Sequence, residues 1–262
     1  MKLDVLVSCM HQSDMSLVSK TRISGDCTMI NQCDMESFEQ IHTRFGIARM
    51  FSTKERGLTK SRNMAISKSL GDICLLCDDD EVLVDDYEKV IIDAYEAIKD
   101  ADVIAFEMSN HVSSLKKTVQ ELKFPKTMKI SSWQITFRRD KIIEKGIRFD
   151  ELLGAGTGNG AEEELKFLLD CQKSNLKIYY VPEVIGEVAQ TSSTWFNGFD
   201  EQFFENRGAT TRYILGWFTA SIYAMYYLVR KHSLYKHHIS FTMAFKSIFK
   251  GIVKNKISKQ AR

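Results

Sequence analysis

"CLLCDDDEVLVDDY", Cys74–Tyr87, is the stretch whose reading decides the fold. An apolar, strand-like run ends in Asp78, Asp79, Asp80 and Glu81, and Asp85 and Asp86 follow closely. Like charges this near repel, and ionised carboxylates at the end of a core strand are costly without a counter-charge. Hard cations such as Mg²⁺ or Mn²⁺ take oxygen ligands of this type, one or two carboxylates plus phosphate and water. The same acids also read as a solvated turn that caps a helix starting near Asp86. Position favours a site, because ligands of α/β sheets bind outside the carboxyl ends of the strands.

Outward from the acids, the pattern alternates. Leu3–Val7 reads as a buried parallel strand, Asp14 as the cap of a short helix through Lys20, and Cys27–Asn31 and Ile47–Phe51 as two further strands. Leu58, Met64, Ile66 and Leu70 are spaced along a helix with Gly71 as its stop, and Ile73–Leu76 is the strand that carries the acids. An amphipathic helix from Asp86 to Ile98 and a strand from Val103 to Met108 follow. Segment 109–129 gives no assignment. "RFDELLGAGTGNGAEEELKFLLDC", Arg148–Cys171, runs from a glycine-rich loop into an acid-headed helix. Ile178–Val181 and Val184–Val188 read as two late strands, Thr210–Tyr227 as an aromatic helix, and the chain to Ile257 as a basic amphipathic helix. Strands alternating with helices predict the α/β class.

With 262 residues, 44% of them hydrophobic, the chain can bury a substantial core. Two prolines argue against long linkers, and Asp4 interrupts any secretory signal. Six cysteines then read as buried or free thiols in a reducing, cytoplasmic compartment. Charge is split along the chain. Of 36 basic residues eleven fall in 206–262, where there is no acid, leaving 25 against all 34 acids before that point. The acidic part suits a metal, and the basic tail suits an anionic surface. No recognition module supports nucleic-acid binding.

"ERGLTKSRNMAI" (Glu55–Ile66), "LLCDDDEVLVDDY" and "AEEELKFLLDC" (Ala161–Cys171), in that order, resemble family-2 glycosyltransferases of the GT-A fold. The bacterial enzymes of capsular or exopolysaccharide assembly are the nearest in pattern. "VSCMHQSD", "MINQCD" and "STWFNGFDEQFFENRGA" add to the resemblance, which spans Met1–Gly208. It implies a Rossmann-like, single, mostly parallel sheet flanked by helices as a catalytic domain at 1–208, with a basic helical extension at 209–262. "DDDEV" also fits the DxDx[TV] signature of haloacid-dehalogenase phosphatases, with Asp78 as nucleophile. That family carries the motif on its first strand, whereas three strands precede it here.

Carried over by position, the resemblance implies that Ser8, Met10, His11, Asn31, Gln32 and Asp34 meet the donor nucleotide. Arg62 contacts the same donor, Asp78 and Asp79 lie near it, and Asp80 takes the Mg²⁺ or Mn²⁺ with Asp78. The catalytic base of such an enzyme is a carboxylate heading a helix, here among Glu162, Glu163 and Glu164. Setting Phe167 on the family's apolar position selects Glu164 as the base, the register taken here, with Glu163 next; setting Leu165 there selects Glu162 instead. Acids in a first helical turn also simply meet the helix dipole. Gly156, Gly158 and Ala161 fit GxGxxA, but three glutamates at a helix start would repel a pyrophosphate. Many relatives have a histidine after the late strand, where this chain has Ala189 and Gln190.

The expectation is therefore an inverting, metal-dependent transferase that takes a nucleotide-diphosphate sugar, a UDP-sugar first, to a saccharide or lipid-linked saccharide acceptor. Trp217, Phe218, Tyr223, Tyr226 and Tyr227 make the tail's first helix a packing or homo-oligomer element. Phe241, Met243, Phe245, Ile248, Phe249 and Ile252, among lysines, predict peripheral attachment of the second helix to the inner, anionic face of a membrane. A non-catalytic membrane-bound scaffold is the remaining alternative.

Overall fold

The computed structural model describes residues 1–111, 113–159, 162–189, 198–254 and 256–257. By its internal contacts the chain divides into two units, one of Met1–Phe149 with Glu164–Thr191 and one of Asp150–Glu163 with Ser192–Arg262.

The first unit holds all ten strands: β1 (Leu3–Met10), β2 (Asp26–Gln32), β3 (Ser37–His42), β4 (Ile47–Thr53), β5 (Ile73–Asp78), β6 (Glu81–Leu83), β7 (Val103–Met108), β8 (Gln120–Glu121), β9 (Ile135–Arg138) and β10 (Ile178–Val188). They form one mixed sheet in the order β3-β4-β2-β1-β5-β9-β7-β10-β6, with β8 on β10. β4, β2, β1 and β5 run parallel, β7 and β10 are a second parallel pair, and β9 lies antiparallel between β5 and β7. The helices of this part are α1 (Leu17–Lys20), α2 (Leu58–Lys68), α3 (Tyr87–Ala97), α4 (Arg139–Glu144) and α5, which begins at Glu163 and runs to Lys173. This is the expected α/β architecture, of the GT-A type.

Period-two alternation sorts the core. Leu3, Val5, Val7 and Cys9 of β1 with Ile73, Leu75 and Cys77 of β5 join α3's Tyr87, Ile91 and Tyr95 in one apolar cluster. Leu6, Cys74 and Leu76 point the other way, toward Ala65 and Ile66 of α2 and Phe167 and Leu168 of α5. Cys74 and Cys77, although spaced as CxxC, therefore lie in opposite clusters and cannot share a metal. All six cysteines are free and buried, and burial pushes the thiols of Cys9 and Cys74 up to about 12.

Several expected boundaries change. Asp14 accepts from the Ser16 N–H at 2.8 Å, but the residue that caps α1 is Ser16, without a side-chain bond. α2 stops at Lys68 because Ser69 turns extended and its hydroxyl donates to buried Asp4 at 2.7 Å. Leu70 is thus outside the helix and exposed, and Gly71 is not the stop. Asp86 caps α3 by position, with no side-chain hydrogen bond. The two late strands are one, β10, whose register against β7 slips between Tyr180 and Gly186. β3, wholly exposed, and β9, wholly unassigned from sequence, are additions.

The second unit contains α6 (Glu201–Arg230), α7 (His232–Tyr235) and α8 (Phe241–Lys254). Gly216, at φ 76° and ψ 173°, breaks α6 into two helical segments, a conformation that costs glycine little. The first segment crosses α8 so closely that a Cβ on Gly208 would stand 2.0 Å from the Ile248 carbonyl, and one on Gly251 2.0 Å from that of Glu205. Ile248 and Ile252, expected to face lipid, are buried in this crossing with Phe204, Tyr227 and Leu228. Phe241, Met243 and Phe245 stay exposed. Among the described residues no helix is long and apolar enough to cross a membrane.

Candidate active site

The carboxyl ends of β1, β2 and β5 make a shelf in the first unit. Ser8 stands opposite Asp78 in one ladder, and Met10 opposite Gln32 in the next. α2 packs on β1 and β2 with a polar face inward: Thr59, Ser61, Arg62 and Asn63 are buried. Ser61 and Ser8 share a hydroxyl hydrogen bond of 2.9 Å. The Asn63 amide donates to the Phe149 carbonyl at 2.9 Å and accepts from its N–H at 2.8 Å, which locks the helix in rotation.

Arg62 is 2% exposed, and its guanidinium reaches both oxygens of Asp78 at 3.1 and 3.2 Å while standing 5.4 Å from the centre of the Phe149 ring. A guanidinium keeps its charge when buried, so the site has a fixed cation beside a fixed acid.

The other expected nucleotide residues differ in what they can still offer. Asn31 accepts from the Gln12 N–H at 2.9 Å and donates to the Gln12 carbonyl and the Ser52 hydroxyl at 2.9 and 3.2 Å. Gln32 accepts from the Gly57 N–H at 2.7 Å. Both side chains hold loops in place. Asp34 pairs with Arg56 at 2.6 Å, and Arg56 also donates to the Cys33 carbonyl at 2.8 Å. His11 has a left-handed φ of 53° and donates its N–H to the Gln32 carbonyl at 3.2 Å, and Met10 is exposed.

Within the acid run the four carboxylates have different surroundings. Glu81, at the start of β6, is buried; one oxygen accepts from the Asp78 N–H at 2.7 Å, and the other has no hydrogen-bond partner among the described residues. Burial, then the charge of Asp78, holds it well above the usual carboxylate range. The same two causes raise Asp79 and Asp80, and at Asp80 the nearby His111 pulls weakly the other way. His111 itself follows β7, 5.2 Å from the Trp133 ring. Its neighbour Asn110 bonds the Val188 carbonyl and N–H at 2.7 and 3.0 Å, and the Ala189 N–H donates to the Asp80 carbonyl at 2.6 Å.

A cation fits this charge pattern. Asp78 is shared with Arg62, while the carboxylate of Asp80 has no ion pair among the described residues, so excess negative charge remains there. Among the described residues no three His, Cys, Asp or Glu side chains are grouped to hold a metal alone. An ion at Asp80 would need further oxygens from a bound phosphate and water, the usual habit of Mg²⁺. Gln190 and Trp195–Asn197 lie outside the described residues.

The three glutamates also part company. Glu162 precedes α5 with φ 82°, a left-handed backbone that costs a non-glycine residue about 1–3 kcal/mol and recurs at functional sites. One of its oxygens is 2.8 Å from half-buried Arg207 of α6, and the other has no hydrogen-bond partner among the described residues. Burial raises its proton affinity against the pull of Arg207. The Arg207 guanidinium also lies 4.1 Å from the Tyr227 ring centre and donates to the Tyr223 hydroxyl at 3.0 Å. Glu163 opens α5 and is buried; Glu164 is half-buried. Leu165 and Phe167 are both buried, so burial does not choose between the two registers. Arg207, Glu81 and His111 were not singled out from the sequence. A lone arginine before glycine, a fourth acid in a run and a histidine in an unassigned loop carry no spacing signal.

Residues 27–150 match the family model "Glycosyl transferase family 2". A search of curated proteins finds no match. Among solved structures, residues 1–349 of TarS from S. aureus in complex with UDP-GlcNAc superpose with a TM-score of 0.58 at 15% identity, over 80% of this chain and 66% of that one. This chain thus spans just under two thirds of that TarS fragment. A TarS complex with UDP gives a TM-score of 0.53 at 15% identity, over 80% and 65%. The mannosyltransferase PcManGT from Pyrobaculum calidifontis, with GDP-Man and Mn²⁺, gives 0.54 at 11% identity, over 98% of this chain and 88% of that one. The acidic motif ends β5, the fifth strand in chain order, whereas the phosphatase arrangement has it on the first. The chain has the GT-A fold, and its residues 27–150 match the glycosyl transferase family 2 model.

Proposed function

We propose that this protein transfers a sugar, with inversion, from a nucleotide-diphosphate sugar to a saccharide or lipid-linked saccharide acceptor in surface polysaccharide synthesis. The observation that carries the reading is the Arg62–Asp78 pair, its guanidinium buried, beside Asp80, which has no ion pair among the described residues, at the carboxyl ends of β1, β2 and β5. UDP-GlcNAc and UDP on TarS, and GDP-Man with Mn²⁺ on PcManGT, support a donor of that class, a UDP-sugar being tried first.

Asp80, with Asp78 as second carboxylate, would hold Mg²⁺ or Mn²⁺, which when bound neutralises charge on the departing diphosphate. Arg62 holds the Asp78 carboxylate through both of its oxygens, so that this acid is positioned before the donor arrives. Ser8, Met10, His11 and Asp34 form the rim offered to the nucleotide; Asn31 and Gln32 act by fixing the loops beside it. In the transfer, an acceptor oxygen bonds to the anomeric carbon as the bond from that carbon to the diphosphate oxygen breaks, and a carboxylate takes the hydroxyl proton. Glu162 has the stronger case for that base, with a raised proton affinity and a direction set by Arg207. Glu164 is the rival by helix register, and Glu163 follows. A lipid-linked acceptor would put the reaction at the cytoplasmic face of a membrane.

The test is a thermal-shift panel of nucleoside diphosphates and their sugars, with and without Mn²⁺, followed by product analysis. A ligand of the folded state raises its melting temperature. We expect a Mn²⁺-dependent rise for at least one diphosphate and its loss in folded Asp80→Asn. No rise with any nucleotide and metal would overturn the donor assignment. Release of phosphate from monoesters would restore the phosphatase alternative, and vesicle binding without turnover the scaffold.

A further inference from the structure

The second segment of α6, residues 217–230, is inverted. Ala220 and Ala224 face the interior, while Phe218, Ile222 and Val229 are 71%, 57% and 66% exposed. Met225 and Tyr226 lie on the same face, because positions 218, 222, 225, 226 and 229 follow the three-and-four spacing of one helix side. Trp217 flanks them, 56% exposed. No charged residue occurs between Trp217 and Val229. Contiguous exposed apolar surface of this kind marks a contact with something apolar.

The charges around the stripe identify the occupant. Arg230, Lys231 and Lys236 follow it directly and are exposed, and Lys246 on α8 is exposed as well. No acid occurs from Asn206 onward. A second copy docked on this segment would bring only more positive charge from the same residues, since a two-fold contact uses one patch twice. An anionic lipid surface supplies what is missing: negative headgroups for the cations and a hydrocarbon boundary for the stripe. The length agrees. From Trp217 to Val229 the helix rises about 18 Å, well short of the roughly 30 Å hydrocarbon core. Tryptophan and tyrosine at its edges are residues that favour the headgroup level.

We propose that the outer face of residues 217–229 lies flat in the surface of an anionic membrane, anchored by the cations that follow it. This differs from attachment through α8, whose Ile248 and Ile252 are buried within the unit. It does not rest on the reaction proposed above and stands if the donor assignment fails.

The experiment is flotation of the full chain with neutral phosphatidylcholine vesicles and with vesicles containing a third phosphatidylserine. The variants are Phe218→Ser/Ile222→Ser/Val229→Ser and Lys231→Gln/Lys236→Gln, each checked for native melting. Wild type should bind the anionic vesicles, and the serine variant should bind at least tenfold less. The glutamine variant should lose about tenfold at low salt and less at high salt. Trp217 emission, taken as the difference from Trp217→Phe, should shift blue on binding. Equal binding by the serine variant, or no preference for anionic vesicles, overturns the proposal. So does a wild-type dimer that ignores vesicles and becomes a monomer in the serine variant, which would identify a second copy as the occupant.

Discussion

α2 and the second segment of α6 break the usual rule of burial in opposite directions. α2 turns Thr59, Ser61, Arg62 and Asn63 inward and ends beside an exposed leucine, Leu70. The α6 segment turns alanines inward and phenylalanine, isoleucine and valine out. A helix formed for stability alone would do neither, because buried polar groups need partners and exposed apolar ones gain nothing. In α2 three of these inward groups have named partners: Ser8 for Ser61, the Phe149 backbone for Asn63, Asp78 for Arg62. The α6 face stays exposed among the described residues. The contrast separates a surface completed within the protein from one that awaits contact.

The strongest way to break the comparison is at Arg62. Arg62→Met should cost about 3 kcal/mol in urea denaturation, because a partly buried carboxylate is then left without its cation beside three further acids. A loss below about 1 kcal/mol would mean that the polar face of α2 is incidental. Next comes Gly251→Val, which forces a side chain against the Glu205 carbonyl and should cost about 1–3 kcal/mol or more. Phe218→Ser, in the second segment of α6, should change stability by no more than about 0.5 kcal/mol. Equal effects would erase the distinction between the two segments of α6.

A smaller effect has the opposite sign. Burial and Asp78 raise the carboxyl of Asp80, so its charged form is held less well in the folded state than in the unfolded chain. That cost is absent below the unfolded value of about 3.9 and grows as pH rises toward and through the raised folded value. Metal-free Asp80→Asn should therefore be more stable than wild type at neutral pH, by less than about 1 kcal/mol, and equal to it at low pH. The smallest effect lies between α6 and α8. Hydrogen bonds from Lys250 and Lys254 lower the carboxyl of Glu205, so its contribution is present above the usual glutamate range and is lost as pH falls through the depressed value. Glu205→Gln should cost about 0.5 kcal/mol at neutral pH, and less in high salt.

The sequence revealed the fold where burial follows period. The near-continuous apolar runs of β1 and β5, and the acids at the end of β5, were sufficient to predict an α/β sheet and a candidate site at its carboxyl edge. It was silent on β9, only four residues long and preceded by polar turns, and on β3, whose side chains are all exposed and so show no alternation. The spacing of apolar residues in α2 was misleading because its inward face is selected by hydrogen bonds. Asp78 and Arg62 were legible as candidates through the resemblance, but their pairing, sixteen residues apart, was not. Glu162 could not be separated from Glu163 and Glu164 by pattern. What separates them is a left-handed backbone and an arginine 45 positions away in the chain, neither of which leaves a local signature.

The place of β9 also has a consequence in time. β5 and β7 are complete by residue 108, yet the strand that joins them is residues 135–138, and β10 comes only at 178–188. On a ribosome, where chains emerge N-terminus first, β1, β2, β4 and β5 can assemble as a parallel half-sheet while one edge of β5 stays open. That edge closes only when β9 inserts, and β7 gains both its neighbours from strands made after it. A nascent chain halted between residues 110 and 134 would therefore carry an open apolar edge, the form of sheet that recruits other chains.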